Sequence, residues 1–499
     1  MSYNGPFALE AATLAFLGKE PAQFIDGQWC APNSRETLPV FDPSSGFEIA
    51  RISDGTAADV DAAVQSAQTA FRDGRWRLMR PADRERMLLK FADLVEQRGE
   101  AFAQMETLEQ GKSIGLSRMI EVGGSVEWMR YTAGLTTKVS GRTLELSLPG
   151  GPQHWTAYTR REAIGVVAGI SPWNFPMIIA LWKVMPALAA GCSIVLKPSE
   201  VTPLTAMMLA ELASEAGLPD GVFNVVTGRG ATAGHALVTH PLISKVTFTG
   251  STATGKAIGM AAMANVVPCA LELGGKNPAI VLKDADLETT VGGMMLAGFF
   301  NQGQVCAAAS RVYVEAPLYN QLVEALEGII TGLSIGPGLD PAMQVNPLVS
   351  KGHQAKVEGY LADARAKGAD IVTGSAIPES GGYYVSPTLV LNPSEDLKLA
   401  REEVFGPVLG ITRVADADEA IARANDSEMG LAASLWTTSL KSAMDITPRI
   451  EVGTVWVNTH NLIDPNMPFG GMKQSGIGRD FGVDWVNAFT DEKSVCISH

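Results

Sequence analysis

The sequence predicts an α/β protein whose parallel sheets are covered by helices on both faces. Between residues 166 and 273, short apolar runs alternate with segments in which apolar residues recur every three or four positions. A second series of the same kind begins near Pro278. Short buried strands that alternate with amphipathic helices are typical of doubly wound parallel sheets. The 499 residues exceed what one compact core supports, so we expect two or three domains.

Residues 57–140 are predicted to be mainly helical. Residues 57–71 and 80–99 carry apolar residues at helical spacing, with charges between them. We expect little strand before Lys138. Residues 142–147 and 153–162 alternate in side-chain character around a Gly-Gly-Pro turn, which predicts a hairpin.

The two α/β series then follow in order. In the first, strands are predicted at 166–170, 193–197, 222–227, 245–249 and 269–273, and helices at 177–190, 203–216, 232–239 and 254–264. In the second, strands are predicted at 279–282, 311–315 and 454–458 and near residues 371, 389 and 408, and helices before Asn301 and at 319–333, 351–367 and 416–425. A boundary between the series is expected near 275, at a double glycine.

Composition excludes several classes of protein. The formal net charge of −14 disfavours a nucleic-acid partner, because an acidic surface repels phosphate. The five cysteines are scattered and odd in number, which indicates a reducing, cytoplasmic setting without a disulfide framework. No Cys or His spacing indicates a metal site.

No segment is predicted to be a targeting or membrane segment. The apolar stretch 7–17 lacks a basic leader, so it is not expected to be a secretory signal. The apolar window 177–196 is interrupted by Lys183, Pro186 and Gly191, which predicts a buried helix, a turn and a strand, and not a membrane span.

Cys306 is the candidate nucleophile. A lone cysteine is usually a small buried hydrophobe. However, the polar residues 301–304 before it predict a loop, from which sulfur can face a cleft and its backbone N–H can reach a substrate oxygen. A thiol of ordinary pKa needs a nearby base or positive field to react.

Glu272 and Asn174 are candidate partners of this thiol. Glu272 ends a predicted strand before a double glycine, where a carboxylate could activate water, although it could equally be an outward-facing strand residue. Asn174 lies between two prolines and could be an ordinary turn residue. Alternatively, its amide could donate to a developing oxyanion.

Cofactor signals are individually weak. The Gly-x-Gly-x-x-Gly fingerprint does not follow the first strand, but Gly250, Ser251 and Gly255 open a helix after the fourth strand, where backbone could approach a pyrophosphate. Gly230 after the third strand is a weaker candidate. Glu200, which follows the second strand close to Lys197, could bind ribose hydroxyls and would repel a 2′-phosphate, favouring NAD over NADP.

Taken together, these motifs resemble the aldehyde dehydrogenase superfamily over nearly the whole chain. They are PWNFP at 172–176, KPSE at 197–200, FTGST at 248–252, LELGGK at 271–276, GQVC at 303–306, EEVFGPV at 402–408 and PFGG at 468–471. Three further stretches are similar to bacterial phenylacetaldehyde dehydrogenases: ETLEQGKSI at 106–114, WMRYTAGLTTK at 128–138 and MKQSG at 472–476.

The resemblance implies a role for each matching residue. Cys306 would attack the aldehyde, Asn174 and the Cys306 N–H would hold the oxyanion, and Glu272 would activate water. NAD would be bound by Lys197 and Glu200 at the adenosine ribose, Ser251 at the pyrophosphate, Glu403 at the nicotinamide ribose, and Phe405 and Trp173 beside it. The substrate tunnel would be lined by Phe175, Trp182, Ile463 and Phe469.

The resemblance also implies an architecture. It divides the chain into a Rossmann-like dinucleotide-binding domain (1–141 and 163–274), a catalytic domain (275–474) and a small β oligomerisation element (142–162 and 475–499). Homo-oligomers follow, with a tetramer favoured over a dimer.

Two departures from the family pattern stand out. Val305 and Ala307 flank the nucleophile where several relatives carry further cysteines. Asp480 stands where many relatives have glutamate, which puts any proton relay through that position in doubt.

The resemblance to phenylacetaldehyde dehydrogenases, together with the aromatic tunnel residues, implies phenylacetaldehyde as the substrate, oxidised to phenylacetate; core packing is the alternative interpretation of the aromatics. Another aryl or a medium aliphatic aldehyde is the alternative within the same chemistry. A cofactor-independent thiol esterase and a binding protein that has lost catalysis are alternatives of other classes. The joint presence of Cys306, Glu272 and Asn174 argues against the last of these.

Overall fold

The computed structural model describes residues 5–499 and confirms the α/β class. It contains two large, mainly parallel sheets, each covered by helices, and a separate three-stranded antiparallel sheet. Within residues 5–499 no helix has both the length and the apolar character needed to cross a bilayer.

The first large sheet has eight strands, and its five central strands are parallel. In spatial order they are Gln28–Cys30, Gln23–Ile25, Phe223–Val225, Ser193–Lys197, Val166–Ile170, Ile243–Thr249, Cys269–Glu272 and Gly476–Ile477. The central strands are thus ordered 3-2-1-4-5 in chain sequence, which is the doubly wound arrangement of dinucleotide-binding folds.

Helices pack on both faces of this sheet. They are Ala11–Leu17, Ala57–Arg72, Pro81–Gln97, Gly99–Gln110, Ser125–Leu135, Pro176–Ala190, Leu204–Ala216, His235–Thr239 and Thr252–Met263. Alternate residues of a strand point to opposite faces. Accordingly, Val167 and Ile194 belong to one core, whereas Val166 and Val195 belong to the other.

The second large sheet has seven strands, all parallel except one edge strand. In spatial order they are Asp370–Thr373, Thr388–Leu391, Val408–Val414, Ala309–Glu315, Asn277–Val281, Ala432–Trp436 and Thr454–Val457. The helices that accompany it are Leu287–Phe299, Ala316–Ile330, Lys351–Ala366, Lys398–Arg401, Ala417–Asn425 and Leu440–Ile446.

The predicted hairpin is part of the small sheet. Thr143–Leu144 pairs with Trp155–Ala163, and the C-terminal strand Thr490–Ser498 pairs with the other edge of Trp155–Ala163 over nine residues. The domain boundaries stay a prediction. Gly476–Ile477, inside the range assigned to the β element, pairs with the first large sheet.

The expectation of little strand before Lys138 is wrong. Gln23–Ile25 and Gln28–Cys30 form a hairpin on the first sheet, and Thr37–Phe41 pairs with Glu48–Ser53. The first hairpin turns at an Asp-Gly pair in which both residues have positive φ, a typical two-residue turn. Strands of three residues are too short for their alternation to register in the sequence.

Candidate active site

The candidate site is a cavity of about 250 Å³ at the carboxyl ends of the central strands of the first sheet. This is where doubly wound sheets bind their ligands. Its walls are formed by Pro172, Trp173, Asn174, Ile179, Trp182, Thr249, Gly250, Ser251, Glu272, Leu273, Gly274, Cys306, His353, Lys356, Glu403, Phe405, Phe469, Asp480 and Phe481. All three predicted catalytic residues are therefore brought together.

Cys306 follows a tight loop that presents its thiol to the cavity. Asn301 and Gln302 adopt positive φ, as does Gly303, where any side chain would collide with the Gly406 carbonyl. Burial, with smaller contributions from the nearby carboxyl groups of Glu403 and Glu272, raises the pKa of the Cys306 thiol to about 12 against the opposing effect of two backbone N–H groups. In the resting site the sulfur is therefore a thiol.

Asn174 lies on the turn that leads into helix Pro176–Ala190, and its position is fixed by the nucleophile loop. Its Nδ2 donates to the Gln304 carbonyl (3.0 Å), and its own carbonyl accepts from Asn301 Nδ2 (3.0 Å). An amide nitrogen carries two hydrogens, so one donor remains for a substrate oxygen. These two hydrogen bonds fix the position of the turn relative to the loop before Cys306.

Glu272 ends its strand directly beside the cavity and is buried. Its Oε2 has no hydrogen-bond partner among the described residues. Burial raises the pKa of this carboxyl well above its usual range and the nearby Asp480 adds to the effect, whereas Lys183 and Arg479 oppose it. A buried carboxyl with a raised pKa and a free oxygen is suited to proton transfer.

Asp480 and Lys183 form a buried ion pair near this carboxyl. Lys183 Nζ donates to Asp480 Oδ2 (2.7 Å), and Trp485 Nε1 donates to the other oxygen (3.2 Å). Lys183 is the single basic residue in the apolar window 177–196. A single charge in an otherwise apolar helix was the feature of the sequence that indicated a buried partner for Lys183.

The predicted pyrophosphate site is a helix N-terminus at the cavity. Ser251 caps helix Thr252–Met263, accepting from the Thr254 N–H (3.3 Å). At Gly250 a side chain would collide with the Phe248 ring. The cavity wall therefore exposes backbone N–H groups of a helix start, as anion binding requires. Gly255 lies inside the helix, where it packs closely against Leu273.

Glu403 and Phe405 form the opposite wall. Glu403 accepts from the Gly275 N–H (3.1 Å), and burial raises its pKa to about 7. Phe405 has positive φ, and its ring packs edge-on against Trp173 at 5.2 Å between centroids. His353 Nε2 donates to the Phe405 carbonyl (2.7 Å), which holds this backbone conformation.

Lys197 and Glu200 lie outside the cavity's immediate lining, at the end of the next strand. They form an ion pair of 2.9 Å. Burial opposes ionisation of Glu200, but the Lys197 ammonium and a Gly230 N–H hold its pKa below the usual range. The predicted ribose-binding residues are thus close together with their carboxylate charged.

On the substrate side, Trp182 and Phe469 line the cavity as predicted. Phe481, which the sequence analysis did not single out, joins them and packs edge-on against Trp182 at 4.7 Å. Phe175 and Ile463 are not part of the cavity wall and pack in the adjoining apolar core. Phe481 has no local motif, so only the tertiary packing reveals it.

Comparisons with known proteins identify the family of this chain. The aldehyde dehydrogenase family matches residues 29–495. The chain belongs to the aldehyde dehydrogenase family. The chain is 47% identical to a phenylacetaldehyde dehydrogenase of Pseudomonas fluorescens, over 95% of both sequences. It is 40% identical to a betaine aldehyde dehydrogenase of Brucella anthropi, over 95% of this chain and 97% of that one.

Solved structures of aldehyde dehydrogenases agree with the fold. The NAD⁺ complex of the Bacillus cereus aldehyde dehydrogenase has a TM-score of 0.95 and 40% identity, covering 98% of this chain and 99% of that chain. In the present aldehyde dehydrogenase, the wall residues that sequence reasoning missed are mainly His353, Lys356 and Phe481. His353 and Lys356 are one helical turn apart, a spacing that places two side chains on the same face of a helix.

Proposed function

We propose that this aldehyde dehydrogenase oxidises phenylacetaldehyde to phenylacetate with NAD, using Cys306 as a covalent nucleophile. The observation that carries the proposal is the single cavity in which a thiol, an amide donor and a buried carboxyl meet between a helix N-terminus and an aromatic wall. Each of these groups suits one step of thiol-dependent aldehyde oxidation.

The residues in and beside the cavity fit a dinucleotide. Ser251 and the helix start suit a pyrophosphate, the wall residue Glu403 suits the hydroxyls of one ribose, and Glu200, outside the lining, suits those of the other. At Gly274 a side chain would collide with the Glu403 carboxylate, so the wall stays open there. Bound NAD would accept the hydride that leaves the substrate carbon. The charged Glu200 would disfavour the 2′-phosphate of NADP.

Acylation begins when the Cys306 thiol gives its proton to water in the cavity and sulfur adds to the aldehyde carbon. The oxyanion that forms is held by Asn174 Nδ2 and the Cys306 N–H. A preorganised donor of this kind lowers the barrier by about 3–4 kcal/mol. Loss of hydride from this thiohemiacetal leaves a thioester on Cys306.

Deacylation uses Glu272 as the base. Its unpartnered oxygen accepts a proton from water, which then attacks the thioester carbonyl. The same oxyanion donors act again, and the acid leaves as the thiol is restored. Because burial excludes bulk solvent from Glu272, its raised pKa places proton transfer closer to neutral pH.

The substrate side favours an aryl aldehyde over a cationic one. Trp182, Phe469 and Phe481 supply an apolar aromatic surface. Aromatic faces also bind quaternary ammonium groups, but the Asp480 carboxylate, which would add attraction for a cation, is paired with Lys183. The similarity to betaine aldehyde dehydrogenases does not by itself decide the question, so the aromatic wall and the higher identity to a phenylacetaldehyde dehydrogenase carry the choice.

A panel of aldehydes tests this proposal. We expect kcat/KM for phenylacetaldehyde to exceed that for benzaldehyde, acetaldehyde and betaine aldehyde, with NADH formed in each productive reaction. Preference for acetaldehyde or betaine aldehyde would refute the aryl assignment. Ester hydrolysis without NADH formation from any aldehyde would favour a thiol esterase instead.

We also infer a cytoplasmic homotetramer. All five cysteines are free, in keeping with a reducing compartment. The small sheet exposes Leu144 and Ile497, the connection between its first two strands exposes Leu148, and such accessible apolar side chains suit association with a second copy.

A further inference from the structure

A fully buried group of charged residues lies outside the cavity. Lys112 Nζ donates to Glu106 Oε1 (3.0 Å) and to Glu121 Oε1, and the side chains of all three residues are inaccessible to solvent. We call Glu106, Lys112 and Glu121 the buried triad. None of them lines the cavity that holds Cys306, and the proposed mechanism does not use them.

The triad carries one cation and two acids. Glu106 Oε2 has no hydrogen-bond partner in the described chain, whereas both oxygens of Glu121 are bonded. Burial raises the pKa of Glu106 well above its usual range, and Glu121 adds to the effect, whereas Lys112 opposes it.

The triad is attached to the turn that carries Asn174. Lys112 Nζ lies 4.4 Å from the ring centroid of Phe175, the residue after Asn174. Glu121 Oε2 accepts from the Ile178 N–H (3.0 Å) in the first turn of helix Pro176–Ala190. This helix has no capping side chain of its own, so Glu121 supplies the acceptor from a distant segment.

The same turn contacts the nucleophile loop. Phe175 stacks on Phe300 at 6.0 Å between centroids and an interplanar angle of 25°. Phe300 begins the loop whose next residue, Asn301, donates to the Asn174 carbonyl. A continuous chain of contacts therefore runs from Lys112 through Phe175 to both Asn174 and the loop before Cys306.

We propose that Lys112 is a positioning residue that, through its contact with the Phe175 ring, sets the distance of the Asn174 amide from the substrate oxygen on Cys306. This inference rests on the proposed role of Asn174 as an oxyanion donor. The ammonium sits against the ring in a water-free environment, where a cation–π contact is strongest. Displacing a reacting group by about 1 Å can cost as much as a hundredfold in rate.

The test measures the rate of the first NADH burst in Lys112→Met, Asn174→Ala and the double variant. We expect Lys112→Met to slow the burst about tenfold to a hundredfold without weakening NAD binding measured by fluorescence. In the Asn174→Ala background, Lys112→Met should have little further effect, because the donor it positions is already absent.

Arg84→Met is the matched control. Arg84 is also buried, but it donates to the Met79 carbonyl and to the Ala189 carbonyl (3.4 Å). Ala189 lies at the C-terminal end of helix Pro176–Ala190, far from the turn that carries Asn174. Its loss should lower thermal stability while leaving the burst rate within a factor of about two, since its bonds lie away from the turn. A similar slowing in Arg84→Met and Lys112→Met would show a general loss of stability and would overturn the proposal.

The outcomes separate this inference from the proposed function. An unchanged burst in Asn174→Ala contradicts the oxyanion role itself. If Asn174→Ala slows the burst, and adding Lys112→Met slows it again by the same factor as in the Lys112→Met single variant, only the positioning role is contradicted. If Lys112→Met does not fold, Phe175→Leu removes the ring contact without stranding a charge, and the same less-than-additive result with Asn174→Ala is expected. Full additivity there overturns the proposal.

Discussion

Burial controls the ionisation of both the proposed nucleophile and the proposed base. The pKa of the Cys306 thiol is about 12, and that of the Glu272 carboxyl is well above its usual range, in both cases mainly because of burial. The site therefore gains reactivity from placement, with the thiol beside two backbone N–H groups and an amide donor, and does not rely on a resting thiolate.

The pH dependence of thioester hydrolysis should follow Glu272. The carboxyl accepts a proton only when ionised, so hydrolysis rises with pH through its pKa. Asp480→Asn removes a charge that raises this pKa, and we expect the acidic limb to move to lower pH. Lys183→Met removes a cation that lowers it, so the limb should move to higher pH.

Single-turnover hydrolysis of the acylated enzyme between pH 5 and 9, about two units either side of neutral, measures these shifts. Opposite shifts for the two variants are the expected result. Shifts in the same direction, or none in either variant, would show that Glu272 does not control this step.

At the scale of single residues, local motifs allowed the sequence to predict which candidate residues meet in the cavity. Cys306, Glu272 and Asn174 each stand in a short stretch whose polar or glycine residues differ from core sequence. Lys183 and Phe481 do not, because their environment is created by segments far apart in the chain. Their roles depend on packing that no short stretch encodes.

At the scale of elements, one glycine allows the helix Thr252–Met263 to pack closely against the residues that follow strand Cys269–Glu272. A side chain at Gly255 would collide with Leu273, which itself lines the cavity, whereas one at Gly259 in the same helix would make ordinary contact with Leu271. Close approach of helix and strand is thus needed at one glycine and not at the other.

Gly255→Ala and Gly259→Ala form a matched pair. The first should force Leu273 into the cavity and raise KM for NAD several-fold, at a stability cost of about 1–3 kcal/mol. The second should leave KM unchanged and raise stability by about 0.5–1 kcal/mol, since alanine suits a helix interior better than glycine. Steady-state kinetics and denaturant unfolding check both, and equal KM values would contradict this account of Gly255.

The sequence predicted elements well where their periodicity extended over many residues. The predicted parallel strands and long helices were confirmed to within a few residues, whereas the parallel strand Ala432–Trp436 and the helix Leu440–Ile446 were not predicted. The strands Gln23–Ile25 and Gln28–Cys30 were not predicted, because three residues carry almost no periodic signal. Pairing with the strand Phe223–Val225 stabilises them, and that partner lies about two hundred residues away.

At the scale of the whole molecule, the small sheet joins the segment 143–163 to the C-terminal strand. Strand Thr490–Ser498 pairs with Trp155–Ala163 and leaves apolar side chains on an exposed surface. Exposed apolar groups on an ordered sheet favour association with an identical copy. The sequence resemblance implied this role.

Ile497→Asp should therefore disrupt the proposed tetramer. A charge at this exposed position would oppose burial against a second copy, because an unpaired charge is costly to desolvate. Ile377→Asp, at an equally exposed isoleucine, is the control and should leave the assembly intact. Light scattering reports the molar mass, and an unchanged mass for Ile497→Asp would contradict an interface at this strand.

The central claim is that Cys306 carries the substrate as a thioester. Glu272→Gln should form this species and release it slowly, because water then lacks its base. Peptide mass spectrometry after mixing this variant with NAD and phenylacetaldehyde should find one phenylacetyl group on the peptide that contains Cys306, and none after Cys306→Ala. An NADH burst without an adduct on Cys306, or with the adduct on another cysteine, would contradict the account.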